Sequence, residues 1–271
     1  MFAYGSLITS EEADHLRASG IRVGVVTSGV DSFYRGGALS QPDALETLRN
    51  YVWYIVSLKQ HAAVLCEHGV RAYSLPFSVE TAWFYPMSVR KSIDVLFIGD
   101  LLTPLNVGRR SMLKHLAVDF RVGVVSLQDP GLRSVCYLGH SDDPRRVNRW
   151  LNEASDVIGS DLIGDMRALN SRAGRFLFYG NVHFMRQRTA VALSAGSCYS
   201  VERHAAVSET FVEDKEIVLH DGMDDLTRRV KLLLDDPERA EELGRMARTR
   251  ILEAFTTEVR IRQLGEPMGF M

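Results

Sequence analysis

The feature of this sequence that most constrains its fold is the alternation of short β-branched runs with segments of helical character. Residues 21–27 and 51–58 each predict a buried strand. Residues 59–68 predict a helix that Gly69 ends, and residues 70–75 predict the next strand. Such a β-α-β alternation implies a parallel sheet with right-handed crossovers. We therefore predict an α/β protein.

A second alternation follows an aromatic, proline-containing segment at residues 76–92, which we interpret as a linker. The predicted strands beyond it are residues 93–99, 121–127, 135–138, 176–179, 198–201 and 216–220. The predicted helices are residues 109–118, 146–158, 186–195, 224–234 and 237–255. Ahead of the first strand, residues 10–20 predict a helix, and residues 28–43 predict a loop. The two alternations together predict two parallel sheets.

Composition excludes several functional classes. The chain has 271 residues, of which 46% are apolar and 24% are charged, as in globular proteins with room for two domains. A net charge of -2 gives no indication of nucleic-acid binding. No apolar run reaches the roughly 20 residues of a membrane span, and no signal peptide is recognised. Three cysteines without metal or redox spacing favour a reduced, cytoplasmic setting.

The polar residues that follow one predicted strand mark a candidate ligand site. Residues 181–197 begin where the run 176–179 ends, and they lead through a helix rich in small residues to Gly196 and Ser197. Open α/β sheets bind their ligands at such strand ends. We therefore expect half of a ligand pocket here.

The order and spacing of several segments resemble those of GT-B glycosyltransferases. The nearest resemblance is to the spore-maturation-protein (CgeB-like) group, within the glycosyltransferase family 1- and 4-like enzymes. The segments that carry it are residues 68–79, 84–86, 94–100, 109–110, 181–183, 188, 192–197, 232–238 and 250–256. The resemblance implies two Rossmann-like domains with parallel sheets and transfer of a sugar, of the hexosyl type, from a nucleotide-sugar donor to an unknown acceptor.

The resemblance also implies a domain division. Residues 1–88 would form a shortened N-terminal, acceptor-side domain with its linker, residues 89–255 the nucleotide-sugar-binding domain, and residues 256–271 a tail crossing back. A parallel sheet as small as the first is marginal alone. Either it packs on the second domain, or it pairs with another copy or a partner chain, or upstream sequence is absent. A non-catalytic binding or interaction module on the same scaffold is the alternative function.

The donor-binding residues implied by the resemblance lie in two segments. Arg188 would meet the diphosphate, and Arg109 and Arg110 would neutralise its charge. The turn Gly99-Asp100 would bring backbone amides to phosphate. Asn181, Gly196 and Ser197 complete the set of implied donor-binding residues. The alternatives are solvated arginines, an ordinary turn and, for Gly196 and Ser197, tight helix packing.

Two further residues are candidates for catalysis: His183, at the predicted strand end, and Asp31, in the loop after residues 21–27. Related retaining enzymes carry two glutamates in the donor segment, and His183 and Val191 stand at the matching positions. The later glutamate typically accepts hydrogen bonds from the ribose, which valine cannot do, at a cost of about 1–3 kcal/mol. The nucleotide-sugar is a substrate, and neither a metal nor another cofactor is expected.

Overall fold

The computed structural model describes residues 2–4, 15–16, 18–20, 24–27, 53–56, 59–75, 78–102, 107–140, 142–160, 187–203 and 205–268. The chain divides into two compact units. Unit 1 comprises Met1–Phe77, Arg172–Phe184 and Ile261–Met271, and unit 2 comprises Ser78–Ser171 and Met185–Arg260.

Unit 1 contains a four-stranded parallel sheet. Its strands are β1 (Phe2–Tyr4), β2 (Gly24–Thr27), β3 (Trp53–Val56) and β4 (Ala72–Ser74), paired in that order. Helix α1 (Lys59–Glu67) joins β3 to β4. Ile55 packs against Tyr73, Leu75 and Leu264, so the last turns of the chain contribute to this core. The parallel pairing confirms the β-α-β prediction for this half.

Unit 2 contains a six-stranded parallel sheet with the order β7-β6-β5-β8-β9-β10. Its strands are β5 (Ile93–Ile98), β6 (Val122–Val125), β7 (Cys136–Gly139), β8 (Ala154–Ile158), β9 (Tyr199–Glu202) and β10 (Val218–His220). Its helices are α2 (Val107–Leu116), α3 (Pro144–Glu153), α4 (Gln187–Ser194), α5 (Ala205–Ser208), α6 (Met223–Asp235) and α7 (Pro237–Ala254), and α8 (Thr257–Met268) begins in this unit. Numbered within the unit, the order is 3-2-1-4-5-6, the Rossmann arrangement.

Strand β5 shows how the sheet is buried on both faces. Ile93 and Leu96 belong to one apolar cluster, and Val95 and Phe97 belong to another on the opposite face. Helices cover both faces of a parallel sheet, so its central strands are apolar throughout rather than alternating. This explains why the run at 93–98 is a clear strand in the sequence.

The predicted helix 146–158 is wrong in its second part, where Ala154–Ile158 forms strand β8. Helix α3 ends at Glu153, and the Ala154 amide donates to the Trp150 carbonyl to close its last turn. The chain passes from helix to strand with no glycine or proline between them. Pairing with β5 and β9 therefore decides the conformation of a segment whose first three residues have low strand propensity.

The other predicted helices and strands of the described residues are confirmed, with bounds shifted by a few residues. Within the predicted helix 10–20, residues 15, 16 and 18 are described and are helical. The predicted loop 28–43 and strand 176–179 lie outside the described residues. Strand β1 and helices α5 and α8 were not predicted, because each is too short or too irregular in apolar spacing to stand out.

Two buried asparagines of α3 bind the backbone of the segment that precedes β5. The Tyr85 amide donates to Asn148 Oδ1 at 3.1 Å, and the Met87 amide donates to Asn152 Oδ1 at 2.7 Å. Asn152 Nδ2 donates in return to the Tyr85 carbonyl at 3.1 Å. The Phe84 carbonyl accepts from Ser194 Oγ at 2.7 Å. Side chains thus satisfy backbone groups that no strand pairs.

Replacing Asn152 by leucine should destabilise unit 2. The substitution keeps the side-chain size but leaves the Met87 amide and the Tyr85 carbonyl without their partner, and each such group costs about 1–3 kcal/mol. The urea midpoint of unfolding measures the effect. Arg145→Ala, at an exposed position of the same helix, is the control and should leave the midpoint unchanged. Equal midpoints for Asn152→Leu and the wild type would show that the asparagine is dispensable.

Candidate functional site

The direction in which successive strands are added to the sheet reverses between β5 and β8. From β5 the sheet grows through β6 to β7 on one side, and from β8 through β9 to β10 on the other. Crossovers therefore diverge at the carboxyl ends of these two strands and leave a gap between them. We call this place, formed by Ile98-Gly99 and Ile158-Gly159-Ser160, the switch crevice.

Arg188, in the first turn of α4, lies at the switch crevice. Its Nη1 donates to the Ile98 carbonyl at 3.3 Å, and its Nη2 donates to the Ser160 carbonyl. The guanidinium carbon lies 5.5 Å from the centre of the Phe97 ring. The arginine thus joins the ends of both central strands and places a positive charge between them.

Gly99 makes room for this guanidinium. A Cβ atom on Gly99 would lie 2.7 Å from Arg188 Nη1 and 3.2 Å from the Phe97 ring. The Gly99 amide itself donates to the Val125 carbonyl at 3.0 Å and so belongs to the sheet. The structure therefore gives Gly99 a steric function beside Arg188, while its approach to phosphate stays a prediction.

The two arginines of α2 hold the turn that follows β5. Arg109, which is 5% exposed, donates from Nη1 to the Asp100 carbonyl at 3.4 Å. Arg110 donates from Nη1 to the Leu101 carbonyl at 3.4 Å. Asp100 Oδ1 accepts from the Leu102 amide at 2.9 Å and closes the turn. These contacts bring Arg109, Arg110 and Asp100 to the β5 side of the crevice.

Packing at its first turn fixes α4 against the sheet. Thr189 Oγ1 donates to the Tyr199 hydroxyl at 3.0 Å, and both side chains are buried. Gly159 is required beside them, because a Cβ there would lie 2.2 Å from the Tyr199 hydroxyl oxygen. The position of Arg188 therefore depends on a glycine that directly follows β8 and on a tyrosine of the neighbouring strand β9.

Gly196 and Ser197 lie at the opposite end of α4 from Arg188. Gly196 has φ of +77°, and the Gly196 and Ser197 amides donate to the Leu193 and Ala192 carbonyls in a Schellman helix end. Ser197 Oγ donates to the Leu151 carbonyl at 3.1 Å. Eight helical residues span about 12 Å, so neither residue reaches the crevice. The structure supports the packing alternative for both.

Three predicted site residues, Asn181, His183 and Asp31, lie outside the described residues. Conversely, the sequence reasoning missed Phe97 and Ser160, which contact Arg188. A signal for Ser160 was present: Ile158-Gly159-Ser160 repeats the pattern of Ile98-Gly99-Asp100. The error in reading β8 as helix concealed it.

Asp156 is the most perturbed carboxyl group that the structure describes within the sheet. It is fully buried in β8, and burial raises its pKa to about 7, while the Ser200 hydroxyl and the Cys198 thiol act in the opposite sense. Burial, together with the neighbouring Asp156, raises the pKa of the Cys198 thiol as well. Asp156 lies opposite Val95 and not at a strand end, which indicates a structural group rather than part of the crevice.

Histidine and metal-binding chemistry are not evident in the described part of the chain. His220 is buried at the end of β10, and burial lowers the pKa of its imidazole, in agreement with a structural role. No three histidine, cysteine, aspartate or glutamate side chains converge there as metal ligands. No described helix has the length and apolar character needed to cross a membrane.

The fold is shared by solved structures of low sequence identity. Sucrose-phosphate synthase from Thermosynechococcus elongatus is 14% identical with a TM-score of 0.61, and the match covers 95% of this chain and 70% of the synthase. HepE of Anabaena, solved in complex with UDP-glucose, is 10% identical with a TM-score of 0.68, covering 97% and 77%. TarM of S. aureus is 12% identical with a TM-score of 0.62, covering 94% of this chain and 57% of TarM.

These similarities and the two parallel sheets define a GT-B fold, which confirms the predicted fold class. The model of the glycosyl transferase-like family matches residues 110–266, more than half of the chain. The chain therefore belongs to the glycosyl transferase-like family. No curated protein matches its sequence.

Asp156 should make stability fall with rising pH. Its folded-state pKa of about 7 lies above the ordinary 3.8, so between these values the folded protein holds a proton that the unfolded chain has lost. This stabilising contribution is complete below the lower value and is lost as pH rises through the higher one, by a change on the order of a few kcal/mol. The urea midpoint of the wild type should therefore fall as pH rises across this range, and the midpoint of Asp156→Asn should not.

Asp119→Asn is the matched control, since this carboxylate is exposed in the turn after α2, where it pairs with Lys231. It should keep the decline of the wild type. If Asp156→Asn showed the same pH profile as the wild type, another group would be responsible.

Proposed function

We propose that the chain transfers a sugar from a nucleotide-sugar donor to an acceptor and that the donor diphosphate binds at the switch crevice. Membership of the glycosyl transferase-like family supports sugar transfer. HepE, which shares the fold, is solved with UDP-glucose, and this supports a nucleotide-sugar as the donor. The identities of the base, the sugar and the acceptor are open. Membership of the CgeB-like group is part of the proposal.

The observation that carries the proposal is the position of Arg188. A guanidinium offers several N–H donors in one plane, which suits the two charged oxygens of a phosphate group. The start of α4 adds the partial positive charge of a helix N-terminus at the same place. Since a diphosphate leaves with negative charge, a fixed cation there stabilises the transition state more than the ground state.

The roles of the other predicted residues are part of the proposal. Arg109 and Arg110 shape the turn after β5 and add positive charge near the leaving group. His183 is proposed to contact the transferred sugar, Asp31 to act from the acceptor side, and Asn181 to contact the donor. Transfer is proposed to need no metal, because arginine and backbone amides balance the charge of the diphosphate. The domain bounds 1–88 and 89–255 stay predictions, and so does the cytoplasmic location.

One observation favours a second candidate function, a binding module without catalysis. Val191 stands where related retaining enzymes carry the ribose-binding glutamate. Its side chain packs against the apolar core that α4 shares with the sheet, and it offers no acceptor to a ribose. A protein of this kind would bind a nucleotide or its sugar weakly and release no product.

Arg188→Ala should weaken nucleotide binding. Calorimetric titration of UDP, GDP, UDP-glucose and GDP-mannose into the wild type should show saturable binding of either the uridine or the guanosine compounds. Removal of one charge-assisted contact to phosphate costs about 1.5–3 kcal/mol, so the affinity of the variant should fall by roughly tenfold to a hundredfold. Arg245→Ala, at an exposed position of α7, is the control.

Release of free UDP or GDP from the sugar nucleotide then separates the two functions. Slow release that Arg188→Ala removes supports a transferase, whereas saturable binding without release supports the binding module. If the folded wild type bound none of the four compounds, both functions at the crevice would be excluded.

Gly99→Ala should lower donor affinity without removing any charged group. The new methyl group would lie 2.7 Å from Arg188 Nη1 and so displace the guanidinium. We expect weaker calorimetric binding of the nucleotide and an unchanged far-ultraviolet circular dichroism spectrum. Ser88→Ala, in an exposed position before β5, is the control. Unchanged affinity in Gly99→Ala would argue against Arg188 as the diphosphate contact.

A further inference from the structure

A second cleft lies at the edge of the unit 2 sheet. It has a volume of about 340 Å³ and lies between strand β7 and helix α3, and its lining residues are Leu138, Arg146, Arg149, Trp150 and Glu153. We call it the Trp150 cleft. Strand β7 is the last of its sheet, and β6 separates it from β5. Two strand spacings amount to about 10 Å, so this cleft is distinct from the switch crevice.

The Trp150 ring is held in a fixed position. One side of the ring packs with Leu138 against the main apolar cluster. Gly139, with φ of +137°, lets the strand end approach the ring, because a Cβ there would lie 3.2 Å from it. The guanidinium carbon of Arg146 lies 5.2 Å from the ring centre. The cleft therefore presents an aromatic side chain and a cation at a defined distance from each other.

The charge of the cleft is positive. Arg149 Nε lies 2.8 Å from Glu153 Oε1, so these two charges offset each other. Within the described part of the chain, Arg146 contacts the Trp150 ring, and that contact leaves its charge uncompensated. Two arginines against one glutamate leave the lining with an excess of one positive charge.

We propose that the Trp150 cleft binds a saccharide that carries a carboxylate, such as a uronic acid residue. Leu138 and the Trp150 side chain give the cleft an apolar lining that suits the C–H face of a pyranose, and Arg146 suits its carboxylate. The volume lies at the lower end of the range of about 300–1,000 Å³ found for small-ligand sites. The choice of a saccharide over other anions rests on the proposed function, whereas the location and the charge of the cleft are independent of that function.

The test is calorimetric titration of the full chain with trigalacturonate, and with its fully methyl-esterified form as the neutral ligand of the same ring structure. The acid should bind saturably and more weakly as salt increases, and the ester should not bind. Arg146→Ala should weaken binding of the acid by about tenfold or more. Trp150→Phe should weaken it too, and Arg145→Ala, one residue away on the exposed side of α3, should not.

Three outcomes would overturn the proposal: equal binding of acid and ester, binding unchanged in Arg146→Ala, or absence of binding by the folded chain. Binding of hexa-aspartate in place of trigalacturonate would also overturn it, in favour of a peptide partner. Arg188→Ala separates this site from the donor site. It should bind nucleotide more weakly and keep trigalacturonate binding unchanged, so each proposal can fail while the other stands.

Discussion

The pairing of β5 with β6 on one side and with β8 on the other is the constraint on which the rest of unit 2 depends. Because all six strands are parallel, every connection must cross a face of the sheet, and both faces become covered by helices. Between the central strands, a polar ligand can therefore be reached only at the strand ends. The crevice between β5 and β8 is the place where the crossovers separate, and Arg188 bridges the carbonyls on its two sides.

The placement of this arginine is set by apolar packing as much as by its own hydrogen bonds. The first turn of α4 is held by the contact of Thr189 with Tyr199, for which Gly159 leaves space. The far end of α4 touches α7, where a Cβ on Gly244 would lie 2.0 Å from the Gly196 carbonyl oxygen. Contacts at both ends of a short helix therefore determine where the charge lies.

The sequence predicted the fold better than the site. Alternation of β-branched runs and helical segments identified the parallel sheets, because central parallel strands are continuous apolar runs. Strand β8 was missed, since Ala154, Ser155 and Asp156 carry no such run and only the pairing with β5 and β9 makes them a strand. Local pattern cannot report pairing between distant segments.

The candidate site was likewise predicted only in part, because its contacts join segments that are distant in sequence. Spacing and resemblance selected Arg188, Gly99, Arg109 and Arg110, and the structure places all four around the end of β5. The partners of Arg188 lie 90 and 28 residues away in sequence, so no local motif could reveal them. Gly196 and Ser197 follow Arg188 closely in sequence, but the length of α4 carries them about 12 Å from it, to the chain just before β9.

The asparagines of α3 have a consequence for the segment before β5. Asn148 and Asn152 bind main-chain amides and a carbonyl, which every residue type except proline provides in full. The path of the segment is thus independent of its side chains, and Trp83, Tyr85 and Met87 remain exposed. These positions are free to diverge among relatives, so that the surface can acquire a new specificity while the backbone beneath it keeps its course.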